Sequence, residues 1–529
     1  MASQDTHLLI CKNNQYPSVN VPKSYWVIVV ISVFVLSVYF SFFHHLANRD
    51  FWSSHEARAA MNANSILEGT GTMLPRIYDG SEDLQKPPLY YWLVAGISSL
   101  RGTNADSVSV RLPSALSATG IIILLLVFLW KNYDFYAGVL GACILITCIH
   151  FGWLARIGRI DMTLAFFTTS SILSFYESGK TQGWAKSVFL LITYIAMLIA
   201  VLMKGLPAFV LILPLFFFWF LFLIFCDNAT NSFPKRLLLF KKLVIDYHLV
   251  PGLLCVVLLS GLYFYMVNEE SGGRFYDVFF GYHHWVRALG DGALRSHPVW
   301  FYVYQFFVDF VPWSPLFYFS ALAVFFSSRF KLSSIHWFGL IWFFSMFLVL
   351  SLVSYKRADY LLPAYPGAAI FLSVVLSDFI KLSFFSKLLS TKTFYKSLAG
   401  ILFVSSVSWV WYVDFYLPKY EPMREMKSAA KFIRNSTFDN ILFFNMESHA
   451  LAFHIGKPLE TIVGWENLEK SINLKKQAFL LTCPENIEEI SGKFPDHKLN
   501  VLYSKNSQVT KGFSRPFVFI ELKSQNDSL

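Results

Sequence analysis

Apolar runs separated by short polar stretches dominate the chain up to Phe415. They lie at Tyr25–Leu46, Arg111–Trp130, Phe135–Ala155, Asp161–Tyr176, Ser187–Met203 and Leu206–Phe225, then at Leu249–Val267, Val299–Phe326, Ile335–Tyr355, Tyr360–Phe379 and Leu398–Phe415. A helix needs about 20 apolar residues to cross a bilayer, so these runs predict about eleven transmembrane helices. The first has no small-residue cleavage site and reads as a signal anchor. Leu89–Leu100 is also apolar but too short to span, and reads as a helix lying at the membrane face. After Phe415 the pattern changes to short alternating segments. Ile441–Met446, Ala478–Thr482, Leu499–Tyr503 and Phe517–Leu522 read as strands, with helical stretches at Glu466–Ile472 and Glu485–Ile490. The expected organisation is a tail over 1–24, a membrane domain over 25–416 and a small α/β domain over 417–529.

Composition agrees with this pattern. The 529 residues are 55% hydrophobic and 15% charged, against about 45–50% and 25% in an average soluble domain. With a mean hydropathy of +0.48, that excludes an ordinary soluble enzyme and a disordered chain. The formal charge of +10 follows membrane orientation. With the N-terminus in the cytoplasm, every loop assigned inside is basic: Lys131; Lys180 and Lys186; Lys235, Arg236, Lys241 and Lys242; Arg329 and Lys331; Lys381, Lys387, Lys392 and Lys396. Nucleic acid is not needed to explain the charge. The six cysteines contain no C-x-x-C pair, which argues against a disulfide framework or a zinc ribbon.

The acids and the remaining bases gather in the outer loops, above all 47–110 and 268–298. The first loop carries His55-Glu56-Ala57-Arg58, where the carboxylate could be a general base or bind a cation. It ends in Gln85-Lys86-Pro87-Pro88, which holds Lys86 on a stiff, extended segment suited to an anionic group; a lysine snorkelling beside interfacial aromatics would look the same. Lys204 interrupts the apolar stretch Val188–Phe225. A charge at mid-bilayer costs about 2.5–3.5 kcal/mol or more, so it should mark a turn or a cavity. Asp161 opens an apolar run just after Arg156 and Arg159, where it could simply serve the helix dipole or could meet an amine, a cation or an acceptor hydroxyl. His283, His284 and Arg287 fall within about one helical turn, and the histidines with nearby glutamate could take a divalent metal, although the spacing forms no motif. Lys356, Arg357 and Tyr360 add a further basic and aromatic cluster that phosphate would suit. Together these residues describe an amphipathic, aromatic-lined cavity facing outward, fit for a lipid phosphate in the bilayer.

At these motifs the sequence resembles the ArnT-like glycosyltransferases, within the wider family of polyprenyl-phosphate-sugar-dependent protein mannosyltransferases. The resemblance rests on HEAR (His55–Arg58), QKPPLYYW (Gln85–Trp92), RIDMTLAFF (Arg159–Phe167) and MKGLPAFVLILP (Met203–Pro214). It continues in FFGYHHWVRAL (Phe279–Leu289), PVWFYVYQFFVDFVPW (Pro298–Trp313) and YKRADYLLPAYPG (Tyr355–Gly367). It implies the GT-C membrane fold. It also implies transfer of a sugar from an undecaprenyl-type phosphate carrier to an acceptor at the outer face of the bacterial inner membrane; in ArnT the acceptor is lipid A. Carried over by position, Lys86 and Arg287 would hold the carrier phosphate, with Lys204 and Tyr360 as further donor-pocket residues. Asp161 would face the sugar or acceptor, and Arg58 matches an arginine of the first-loop motif. The family usually has Asp where this chain has His55, and ArnT proteins tend to have Glu where it has Gln85. The base is then Glu56 or Asp161, or none is needed because the acceptor is itself a phosphate. The second departure removes a residue implicated in metal binding.

The implied chemistry is one inverting displacement at the anomeric carbon, with Lys86 and Arg287 stabilising the departing phosphate and no nucleotide. The implied partners are the lipid-linked donor, a lipid or protein acceptor and the bilayer. Two other readings remain: a protein O-mannosyltransferase, differing in acceptor, and a lipid-linked glycan flippase. The flippase should show internal repeats, and the sequence has none.

Overall fold

The computed structural model describes residues 24–226, 232–286, 296–326, 332–381, 391–436, 438, 441–473, 477–505 and 516–524. Contacts divide the chain into two compact units. The first holds Met1–His44, Leu84–Tyr90 and Leu112–Val410; the second holds His45–Asp83, Tyr91–Arg111 and Trp411–Leu529.

The first unit is helical. Among the described residues, seven helices are long and apolar enough to cross a membrane, or eight if the bent pair Phe135–Thr147 and Ile149–Ala155 forms one span. The chain is a mainly α polytopic membrane protein, and the expected eleven such helices are not seen among the described residues. With the bent pair counted, three expected spans are missing: Ile160–Ser178 is one helix but not apolar enough to count, and two other runs break into shorter pieces. The run 299–326 becomes Phe301–Asp309 and Ser314–Phe326, and the first becomes Ser24–Val38 followed by a single π-helical segment, Tyr39–Phe43. Leu89–Arg101, most of which falls in the second unit, is a separate 13-residue helix, as its length predicts.

Packing in this unit relies on small residues and buried aromatics. The helix Ser334–Leu352 meets the segment Tyr365–Lys381 backbone to backbone. A Cβ on Gly339 would lie 2.7 Å from the Phe371 nitrogen, and one on Gly367 would lie 2.8 Å from the Trp342 Cβ. Apolar side chains gain little by leaving lipid for a helix interface, so close approach of small residues supplies the attraction. The helix Leu249–Glu270 instead turns Leu254, Val257, Leu258, Leu259 and Leu262 outward, as a lipid-facing helix does.

The second unit is built on a five-stranded sheet of β1 (Ile441–Phe444), β2 (Glu460–Ile462), β3 (Gln477–Thr482), β4 (His497–Lys505) and β5 (Phe517–Ser524), in the order β2-β1-β3-β5-β4. β1 runs parallel to β2 and β3; β5 is antiparallel to β3 and β4. Alternation explains why β1 is wholly apolar. Ile441 and Phe443 enter a core with the helices Lys427–Asn435 and His449–Ile455, while Leu442 and Phe444 enter a second core with Trp465–Asn473 and Ile487–Lys493. Met61 and Tyr78 of the first loop belong to the former core, so part of that loop is built into the sheet's packing. All four predicted strands are present. β2 was not anticipated, because three residues are too few to show a period.

Candidate functional site

In the first unit, Lys204 ends the helix Gly183–Lys204, and Gly205 turns the chain before the next helix starts at Leu206. The turn needs glycine: φ is +74°, and a Cβ would lie 2.8 Å from the Phe279 ring. The Lys204 ammonium leaves the helix end and donates to Asp161 Oδ1 at 2.6 Å. Its Nζ lies 4.5 Å from the centroid of the Tyr360 ring, a cation–π distance.

Asp161 sits in the first turn of the helix Ile160–Ser178, where the helix dipole favours an anion. Arg159, in extended conformation just before it, bridges two acids: its Nη2 lies 3.1 Å from Asp161 Oδ2 and 2.6 Å from Asp359 Oδ2. Arg357 closes on the same Asp359 oxygen at 3.2 Å. The result is a row of alternating charge: Lys204, Asp161, Arg159, Asp359, Arg357. The ammonium of Lys86 is near enough for its charge to act on Asp161. Exposure rises toward the ends of the row. Asp161 is 6% exposed, Lys204 19% and Arg357 35%, so the carboxylate is committed to its partners while the outer cations remain accessible.

Lys356 stands apart from this row. It is buried, and it donates to the carbonyls of His297 and Val353, the latter the last residue of the preceding helix cap. Burial pushes its ammonium below the usual lysine range. His284 has Nδ1 2.6 Å from the Phe279 carbonyl and Nε2 3.3 Å from the Lys204 carbonyl. With both ring nitrogens directed at backbone oxygens, it supports the Lys204 turn and presents no free nitrogen to a metal in this conformation. Arg287 lies outside the described residues.

The remaining first-loop candidates lie in the second unit. Glu56 is fully buried and makes a two-toothed pair with Arg111, at 2.8 and 3.0 Å. Arg111 also donates to the carbonyls of Leu46, Arg49 and Asp50, and Glu56 accepts the Trp52 N–H. Every polar atom of the pair serves the loop, so this conformation gives Glu56 the role of a clamp and not of an accessible base. Arg58 is paired with Asp83 at 2.6 and 2.7 Å, and Asn62 shares that carboxylate. His55 occupies the first turn of the helix Ser54–Leu67, partly buried. Asp50 ties the loop to the C-terminal residues through His454 and the Met426 N–H. Burial alone would raise its carboxyl, but the hydrogen bond and charge of His454, with the backbone donors, hold it below the ordinary carboxylate range.

Sequence reasoning missed one pair in the first unit. His150 follows a 70° break in its span, and Asp309 ends the helix Phe301–Asp309. They meet at 3.5 Å, with the Tyr365 hydroxyl 2.9 Å from His150 Nδ1. Both residues interrupt apolar runs, and an ionisable group there is a functional signal in itself.

Residues 85–267, the stretch that contains Lys86, Asp161 and Lys204, match the family model described as dolichyl-phosphate-mannose-protein mannosyltransferase. ArnT from Cupriavidus metallidurans, solved bound to undecaprenyl phosphate, superposes with a TM-score of 0.70 at 18% identity, over 94% of this chain and 98% of that one. The chain therefore shares the fold of that ArnT structure. An uncharacterized protein of Aquifex aeolicus (strain VF5) is 31% identical over 67% of this chain. A Proteus mirabilis (strain HI4320) protein, undecaprenyl phosphate-alpha-4-amino-4-deoxy-L-arabinose arabinosyl transferase 1, is 23% identical over 66%. This chain spans 64% and 59% of the lengths of these two relatives.

Proposed function

We propose that the protein is a membrane glycosyltransferase that moves a sugar from a polyprenyl phosphate carrier to a cell-envelope acceptor, a lipid A-like lipid, at the outer face of the bacterial inner membrane. The observation that carries this reading is the row of accessible cations fixed at helix ends within an apolar, aromatic unit. Lys204 and Arg357 are held by Asp161 and Asp359, with Lys86 close to the same carboxylate. A lipid phosphate has the matching chemistry: its chain belongs among apolar helices and its headgroup pairs with several cations.

Lys86, Lys204 and Arg287 would bind the carrier phosphate and stabilise the charge that grows on it as the bond to the sugar breaks. Tyr360 would flank the donor. Asp161 would act mainly by positioning Lys204 and Arg159, because its oxygens are already engaged by them. Supporting this reading are the curated transferase relative and the undecaprenyl phosphate in the ArnT structure, each a property of that protein.

The test uses purified full-length protein in nanodiscs with polyprenyl-phosphate sugars and membrane lipid extract, following free polyprenyl phosphate by mass spectrometry. Wild type should release it, and Lys86→Ala should release at least roughly 100 times less. No release with any donor, together with movement of donor lipid between leaflets, would overturn the transferase in favour of a flippase. A glycosylated peptide product in place of a lipid one would make it a protein O-mannosyltransferase.

A further inference from the structure

We propose that His150 and Asp309 form a base and its orienting carboxylate that take the proton of the acceptor, and therefore that the acceptor reacts through a hydroxyl group and not through a phosphate or carboxylate. The inference rests on the transferase reading and adds to it the chemical class of the second substrate.

The two residues are brought together by two interrupted helices. The span from Phe135 to Ala155 bends by 70° at Cys148, and the run from Phe301 to Phe326 is broken between Asp309 and Ser314. The two breaks are joined: the Ile149 N–H donates to the Val311 carbonyl at 3.1 Å, and the Cys148 thiol lies 3.5 Å from the Asp309 carbonyl. Non-helical backbone at membrane depth is tolerated where it is buried in protein or lines a cavity, and a histidine and an aspartate both placed at such breaks have a reason beyond packing.

The geometry assigns roles to the ring nitrogens. His150 Nδ1 faces the Tyr365 hydroxyl at 2.9 Å and Asp309 Oδ2 at 3.5 Å, while Gln305 Nε2 fixes the other Asp309 oxygen at 2.9 Å. With the proton on Nδ1, which the charge of Asp309 favours and the Tyr365 hydroxyl oxygen accepts, the lone pair is left on Nε2. Among the described residues Nε2 makes no hydrogen bond, and the His150 side chain is 12% exposed. The charged groups that reach His150 are Asp309, Asp359, Arg159 and Asp161; three of these belong to the charged row or its bridge. Asp161, paired with Lys204 and Arg159, is a poor proton acceptor by comparison.

In the step itself, the acceptor O–H bond breaks toward Nε2 as its oxygen bonds the anomeric carbon. The bond from that carbon to the carrier oxygen breaks, and its electron pair stays on the phosphate. The proton stays on Nε2 of the imidazolium, whose charge Asp309 offsets from the Nδ1 side, until water removes it. An acceptor phosphate is already an anion at neutral pH and would leave this pair without work.

The test compares wild type, His150→Gln and Asp309→Asn in nanodiscs, with a polyprenyl-phosphate sugar and either native lipid extract or the same extract with its hydroxyls acetylated. Undecaprenyl phosphate binding is measured in parallel. Wild type should release carrier phosphate with native extract and not with acetylated extract. His150→Gln should be slower by roughly 100-fold or more and lose the rise of rate with pH, while undecaprenyl phosphate binding stays within about twofold. Asp309→Asn should slow release roughly tenfold or more and shift the midpoint of that rise, an effect a purely structural role would not produce. Equal release with acetylated extract, or a His150→Gln profile matching wild type, overturns the inference. If His150→Gln also loses binding, the Asp309→Asn profile and the acetylated extract decide it. Failure of wild type to release any carrier phosphate is a different outcome: it removes the transferase reading, and the inference with it.

Discussion

Two arginine–carboxylate assemblies in this protein use the same chemistry to opposite ends. In the second unit, Glu56 and Arg111 are both fully buried, and the guanidinium spends its remaining donors on three backbone carbonyls. In the first unit, Arg159 bridges Asp161 and Asp359, but the row it joins ends in Lys204 and Arg357, which stay partly exposed beside an aromatic ring. The first assembly is closed: each polar atom meets protein, so it can only hold the loop. The second is open at its ends, so its cations can still pair with an anion that arrives. The residue types are alike. Whether donors remain unspent distinguishes scaffold from site.

Substitution should separate the two sharply. Lys204→Met, which keeps the bulk and removes the charge, should reduce carrier-phosphate release by roughly 100- to 1000-fold. A Lys204→Met variant with wild-type release would remove the charged row from the donor site. Glu56→Ala should act on stability instead. Leaving Arg111 buried without its carboxylate costs about 3–5 kcal/mol, read as a fall in the thermal midpoint in detergent. If Glu56→Ala keeps its midpoint but loses transfer, the contrast fails and Glu56 regains the role of a base.

The smallest effect concerns Asp50. Its carboxyl is held below the ordinary 3.8 in the folded protein, so folding is favoured by the ionised form. That contribution is complete above the unfolded value and is lost as the pH falls through the lower folded value. Asp50→Asn should therefore cost about 1 kcal/mol near neutral pH and flatten the loss of stability below about pH 4. Thermal midpoints taken from pH 3 to 7 would show it, and an unchanged acid slope would sink it.

Some of this was legible in the chain. Most of the span positions could be read because a bilayer sets the length of an apolar run, and Lys204 could be read as a turn because a charge inside such a run is costly. The helix does end at Lys204. The role of Glu56 was not legible. His-Glu-Ala-Arg looks like a catalytic motif, and nothing within it points to Arg111, 55 residues further along. His150 and Asp309 are 159 residues apart, each in a run that reads as lipid-spanning, and the breaks that make them neighbours carry no strong local signal.

The sequence alone therefore determined what local physics controls: which segments are apolar enough for a membrane, where the chain turns polar, and where four of the five strands lie, since burial on one or both faces sets their period. Tertiary structure alone decided the groupings. It gathered residues of the first loop, from His45 to Asp83 and from Tyr91 to Arg111, into one compact unit with the C-terminal sheet. It gave Arg111 to Glu56, Arg159 to two acids and His150 to Asp309. An ion pair gains its energy from distance and burial, and neither quantity is written in the spacing of residues along a chain.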